Sequence, residues 1–293
     1  MELRVLRYFL AVAQEETISG AADILHVTQP TLSRQLMELE EELGTKLFMR
    51  GNRKITLTDK GILLRKRAEE IIDLAQKTEA EFLIQGEAIS GDVYIGGGET
   101  HAMKIIASAI KDLQQNYPDI RYHFYSGNAE DVTERLDKGL LDFGVLIEPA
   151  NLAKYDFIPL PAVDVWGLLM RKDSPLAFLN EIQPENLWDI PLIASRQRLV
   201  SNSIETWIKK DYEKLNVVAT YNLIYNASLM VEEGIGYALA LDGLINTTGN
   251  SNLCFRPLSP KLEVGLDIVW KKYQVFSKPA ETFLDKIQSI FQV

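Results

Sequence analysis

Apolar positions recur at helical spacing from the first residues. Leu3, Leu6, Leu10 and Ala13 fall three or four apart, which predicts an amphipathic helix over about 2–14. A short second helix follows, with Ala21, Ala22 and Leu25 turned inward; the two alanines let a neighbouring helix come close. After His26-Val27, Thr28 is a good N-cap and Pro30 is tolerated in a first helical turn. A third helix is therefore expected to about Leu43, burying Leu32, Leu36, Leu39 and Leu43 and presenting Gln29, Thr31, Ser33, Arg34 and Gln35 on its other face. The period then shortens. Lys46 to Leu57 reads as two β-prone runs joined by Gly51-Asn52, a hairpin whose Leu47, Phe48, Ile55 and Leu57 cover the helices while Arg50, Arg53 and Lys54 ride on its arms.

From Thr58, a cap residue, to about Glu87 the chain reads as one long helix without proline. Leu64, Ala68, Ile71, Ala75, Thr78 and Phe82 follow a 4-3-4-3-4 spacing, the seam of a coiled coil, with packing inside one domain as the alternative. Beyond the hinge-like 86–91 stretch, strands and helices alternate. Strands are expected at about 92–97, 120–125 and 143–147, with helices at 103–117 and 129–138. After Pro161 come strand 163–171, helix 203–212, strand 217–224, helix 227–233, a turn-and-strand at 234–241, strand 263–270 and helix 280–291. This βαβ pattern implies parallel sheets with helices on their faces. The expected fold class is a multidomain α+β chain. Its parts are a winged helix-turn-helix at 1–58, a linker helix at 59–89, and a two-lobed α/β body. One lobe spans 90–162 with 267–293, the other 163–266.

A length of 293 residues agrees with roughly two domains, and 46% hydrophobic with 25% charged residues is ordinary for globular protein. Cys254 stands alone and the three histidines are far apart, so no disulfide, metal or cofactor is expected. The start lacks an apolar signal core and no run approaches ~18 apolar residues, so the expectation is a cytoplasmic chain with no membrane partner. A net charge of -10 argues against nucleic acid, since phosphate contacts need cations. The segment Gly44–Arg67 reverses that inference: it holds eight cations and one acid, a local +7. A basic module joined to an acidic body is the reading.

In a helix-turn-helix, the N-terminal part of the second helix enters the major groove, where Gln and Arg offer bidentate donors to base edges. The run Phe9, Val12-Ala13, Ser19, Ala21-Ala22, Leu25, Thr28-Gln29-Pro30-Thr31-Leu32-Ser33-Arg34-Gln35, Leu39-Glu40, Leu43-Gly44, Leu47-Phe48, Arg50, Leu57-Thr58 and Gly61 resembles the LysR-type transcriptional regulator family. The likeness holds in register over some sixty residues; Glu16 departs from it, where the family often has glycine. It implies base and backbone contacts to double-stranded DNA by Gln29, Pro30, Thr31, Ser33 and Arg34, with Arg50 and Arg53 in the wing beside Lys54. It also implies a dimerising linker helix and a homodimer or homotetramer on two-fold-related sites, and leaves RNA polymerase open as a further partner.

The same resemblance implies a body built like periplasmic solute-binding proteins, with a small-molecule effector between its lobes. Leu141-Asp142-Phe143-Gly144-Val145 and Gly234-Ile235-Gly236 carry this weaker part of the match. By position after apparent strands, the effector-binding candidates are Thr100, His101, Gly127, Asn128, Ser195, Arg196 and Asn226. Gly97-Gly98 favours an anion through free amides, whereas Glu99 and the acidic body oppose one. An enzyme is excluded on motif grounds: Gly96-Gly97-Gly98-Glu99-Thr100 lacks the Lys-Ser/Thr of a P-loop, and no nucleophile elbow or dinucleotide fingerprint occurs. The alternative to an effector-controlled regulator is a ligand-independent, architectural DNA-binding protein.

Overall fold

The computed structural model describes residues 1–291 except 52–53, 84–88, 197–203 and 210–213. The chain divides into two units, Met1–Gln85 and Gly86–Val293. In the first, helix α1 (Leu3–Glu15) buries Val5, Leu6, Phe9 and Val12, a stripe rotated from the expected one, and leaves Leu3 39% exposed. Phe9 decides the rotation: its ring is wholly buried, 5.2 Å from Phe48. Thr17 caps α2 (Ile18–Ile24) by accepting the Gly20 amide at 3.2 Å, and Thr28 caps α3 (Gln29–Glu42). Leu32, Leu36 and Leu39 are buried, but Leu43 is 40% exposed, because α3 stops at Glu42 and Gly44 turns the chain away at φ +62°.

Strands β1 (Phe48–Arg50) and β2 (Ile55–Leu57) pair antiparallel with Phe48 opposite Leu57. Thr58 then accepts the Gly61 amide at 3.0 Å and donates to the Lys46 carbonyl at 2.7 Å, fixing the start of α4 (Asp59–Leu83) against the hairpin. Gly61 is required there, since a Cβ would lie 2.1 Å from the Leu47 carbonyl oxygen. Ala68 and Ile72 of α4 are buried in the core that α1 and α3 also build.

Among the described residues the second unit has two sheets. The first runs β4-β3-β5-β13-β6. In it β3 (Gly91–Gly97) is parallel to β4 (Ile120–Ser126) and β5 (Phe143–Ile147), while β13 (Leu266–Lys271) is antiparallel to β5 and β6 (Tyr155–Pro159). Helices α5 (Met103–Asn116) and α9 (Lys278–Phe291) pack on one face and α6 (Ala129–Asp137) on the other. The second sheet runs β11-β7-β10-β8-β9: β11 (Leu253–Pro257), β7 (Asp164–Arg171), β10 (Tyr237–Leu241), β8 (Leu192–Ser195) and β9 (Val217–Tyr221). The short β12 (Glu263–Val264) also pairs with β7. Helix α8 (Ile224–Glu232) covers one face, and the helical stretch 204–208 (α7) covers the other. The expected helix 203–212 lies partly outside the described residues.

Both sheets are mixed, not purely parallel, because β7 and β13 each run antiparallel to their neighbours. These are the strands that follow the two passages between lobes. The Leu160 amide donates to the Leu266 carbonyl at 2.8 Å, so the two passages are bonded side by side. That pair of passages is where the two lobes are joined.

Candidate DNA-binding surface and interlobe cleft

Gln29, Pro30, Thr31 and Arg34 stand exposed on the first turns of α3, and Ser33 is half-buried. The Thr28 and Thr31 hydroxyls lie 2.8 Å apart. Arg34 makes a long ion pair with Glu38, at 3.6 Å, with 70% of its side chain exposed. Arg50 closes the hairpin opposite Ile55, while Arg53 lies outside the described residues. Lys54 pairs with Glu16, whose carbonyl also accepts the Ile55 amide at 2.8 Å. The residue that departs from the family pattern is thus an anchor for the wing.

Glu40 is a structural residue that periodicity missed. It sits on α3 facing the core, where an apolar side chain is the rule. Its carboxylate accepts the Leu47 and Phe48 amides at 2.8 and 3.3 Å and the Lys46 ammonium at 2.6 Å. Burial pushes the carboxyl up, but the Lys46 and backbone bonds outweigh it and hold it below its ordinary range. This carboxylate ties α3 to the start of the hairpin, beside the apolar core that the two share. Its place in the Leu39-Glu40 pair of the family-like run was the trace of it in the sequence.

The expected seam divides along α4. Leu64 packs against the core and Ala68 is wholly buried in it, so these two serve the unit's own interior. Ile71, Thr78 and Phe82 are exposed, Phe82 by 82%, and Ala75 is partly covered. Thr78 donates its hydroxyl back to the Leu74 carbonyl at 2.8 Å. The open apolar stripe therefore starts at Ile71.

In the second unit, Gly98, Glu99 and Ile147 of the first lobe face Trp166, Ser195, Tyr221 and Leu241 of the second. Glu99 is the one charged side chain among the described residues that line this cleft. Its carboxylate accepts the Ile224 amide at the start of α8. The space left for water-sized occupants is about 40 Å³. Thr100 does not line the cleft. It is buried, accepts the Ala102 amide at 3.0 Å and bonds to Asp164. Burial raises the Asp164 carboxyl and the Asp242 charge adds to this, against the Thr100 bond and the His101 charge. His101 is exposed and lies against Gly243, its Nδ1 3.0 Å from where a Cβ would be.

Of the other expected effector contacts, Ser195 lines the cleft. Asn128 is spent on capping α6, accepting the Asp131 amide at 2.9 Å, and buried Gly127 donates to the Gly97 carbonyl at 3.0 Å. Arg196 is exposed beyond the end of β8, and Asn226 is exposed in the first turn of α8. Strand ends were legible in the sequence, but which side chain turns into the cleft depends on caps and pairings that it does not display. Trp166 and Tyr221 were missed for that reason.

Among the described residues no helix is long and apolar enough to cross a membrane and no cluster could hold a metal ion. Residues 3–62 match the model of the bacterial regulatory helix-turn-helix protein, lysR family, and residues 86–292 match the LysR substrate binding domain. The Hca operon transcriptional activator HcaR of Escherichia coli (strain K12) is 28% identical over 290 residues, 96% of this chain and 94% of that protein. The transcriptional regulator IlvY of the same organism is 30% identical over 72% of this chain and 71% of its own. The fold of full-length CbnR, solved in complex with its target DNA, superposes with a TM-score of 0.76 at 17% identity over 99% of both chains. HcaR and IlvY are regulators of transcription. This chain belongs to the LysR family of DNA-binding transcriptional regulators.

Proposed function

We propose that this regulator binds two-fold-related operator sites as a homodimer or larger assembly, and that a small molecule held between the lobes of 90–293 sets its DNA-bound state. The reading assigns operator contact to Gln29, Pro30, Thr31, Ser33 and Arg34, with Arg50, Arg53 and Lys54 in the wing. It assigns dimerisation to the α4 stripe from Ile71 to Phe82. The observation that carries it is the cleft itself. Strand ends of two sheets converge on apolar walls, beside paired chain passages able to hinge. An effector shifts such an equilibrium only as far as it prefers one lobe arrangement over the other.

One observation favours a second reading, a DNA-binding protein that works without a ligand. A free volume of about 40 Å³ is far below the ~300 Å³ at which small-molecule sites begin. A thermal-shift screen of metabolites on the full chain separates the two, since a ligand of the native state raises its melting temperature. A hit that also changes operator binding supports the effector reading. Intact operator binding with no hit supports the other.

A further inference from the structure

Three consecutive residues of one lobe reach three separate elements of the other. Glu99 meets the first amide of α8, Thr100 bonds to Asp164 at the start of β7, and His101 lies against Gly243 just after β10. The α8 contact stands out when helix starts are compared. Thr17, Thr28 and Asn128 cap α2, α3 and α6 from within their own segments, and the N-cap residues of α1 and α5, Glu2 and Ala102, make no side-chain cap bond. At α8 the N-cap residue is Leu223, which has no side-chain acceptor to give. The first amides of a helix lack intrahelical partners, and a carboxylate is the strongest acceptor for them. For the Ile224 amide that acceptor comes from the opposite lobe.

We propose that the Gly98–His101 loop is a clasp, in which Glu99 caps α8 across the cleft and holds the lobes together, so that an effector acts by releasing it. The clasp accounts for the small free volume: the cleft is closed on one of the protein's own side chains, and any occupant of metabolite size must first part Glu99 from Ile224. Parting the lobes strips α8 of its cap, which couples opening to loosening of that helix end. Thr100 keeps its bond to Asp164, so the release of Glu99 leaves the loop attached at the start of β7. The regulatory half of this proposal rests on the cleft being the effector site.

The test is hydrogen exchange on the full chain, followed at 224–227, for the parent, Glu99→Ala and Glu99→Gln. The Ala variant is expected to exchange there about tenfold faster or more, with β3 and β4 as protected as in the parent. Gln, which keeps an acceptor oxygen, is expected to fall between. Sodium acetate, compared with sodium chloride at equal ionic strength, should slow exchange at 224–227 in Glu99→Ala and leave the parent unchanged. Footprints on operator DNA should differ between parent and Glu99→Ala. Unchanged exchange at 224–227 in both variants overturns the clasp. Faster exchange with an operator footprint identical to the parent's overturns its regulatory role. Failure of the effector reading registers elsewhere, as a metabolite screen without hits on a parent whose α8 still depends on Glu99.

Discussion

Glu40 does with one carboxylate what three separate contacts would otherwise have to do. It terminates the orphan amides of Leu47 and Phe48, anchors Lys46, and so fixes the hairpin to the far end of the recognition helix. Replacing Glu40 by Ala leaves two amides short of an acceptor, at an expected cost of ~1–3 kcal/mol by urea melting. The pH dependence has a definite sign. Because the folded carboxyl is held below its ordinary value of 4.5, its stabilisation is present above that value and lost as pH falls through the folded pKa. Glu40→Gln should flatten this part of the acid limb. Asp164 and Asp267 behave oppositely. Burial raises both, abetted by Asp242 and Glu148 respectively, and each has an Oδ2 without a hydrogen bond among the described residues. Their contribution is present below 3.8 and lost as pH rises through the folded value. Asp164→Asn and Asp267→Asn are each expected to stabilise the chain at pH 7, on the order of 1 kcal/mol. A lower melting temperature in both would show that the ionised forms do structural work there.

At the scale of elements, spacing located the helices of the first unit and the hairpin, because each carries its own punctuation: Thr28 before α3, Gly51 in the turn, Thr58 before α4. It misjudged the buried face of α1, since Leu3-Leu6-Leu10 and Val5-Phe9-Val12 are both helical stripes and only the aromatic bulk of Phe9 separates them. It passed over β6, β8 and β11, which are four or five residues long and stand next to or contain prolines at 159, 191 and 257. Runs that short give too few positions to establish a period. In α4 a single period runs across two different packings, Leu64 and Ala68 in the unit's own core and an exposed stretch from Ile71. This division makes a sharp expectation. Ile71→Asp places a charge on the open stripe, so sedimentation should give smaller species while the first unit keeps its melting transition. Ala68→Asp puts the same charge into a wholly buried site and should unfold that unit, a penalty of several kcal/mol. An unchanged sedimentation coefficient for Ile71→Asp would remove α4 from the assembly interface.

For the whole molecule, the problem is how a chain of net charge -10 settles on a polyanion. The +7 segment answers most of it, and Glu16 works against it. Glu16 sits at φ 55°, a left-handed position where glycine carries no steric penalty, and its carboxylate holds Lys54. Substitution by glycine relieves roughly 1 kcal/mol of backbone strain and forfeits an exposed ion pair worth at most about 1 kcal/mol, so stability should hardly move. The Ile55 amide keeps its acceptor, because that bond runs to the residue 16 carbonyl. DNA binding should change more. Glu16→Gly removes a repelling charge beside the wing and frees Lys54 for a phosphate, and each additional phosphate neutralised steepens the dependence of log affinity on log salt by about 0.9. Fluorescence anisotropy titrations of the full chain, on operator and on unrelated duplex across a potassium chloride series, measure that slope. The steeper slope should appear on both duplexes, since a phosphate contact carries no sequence information. A slope equal to the parent's on both would mean that Lys54 stays away from the DNA even when unpaired.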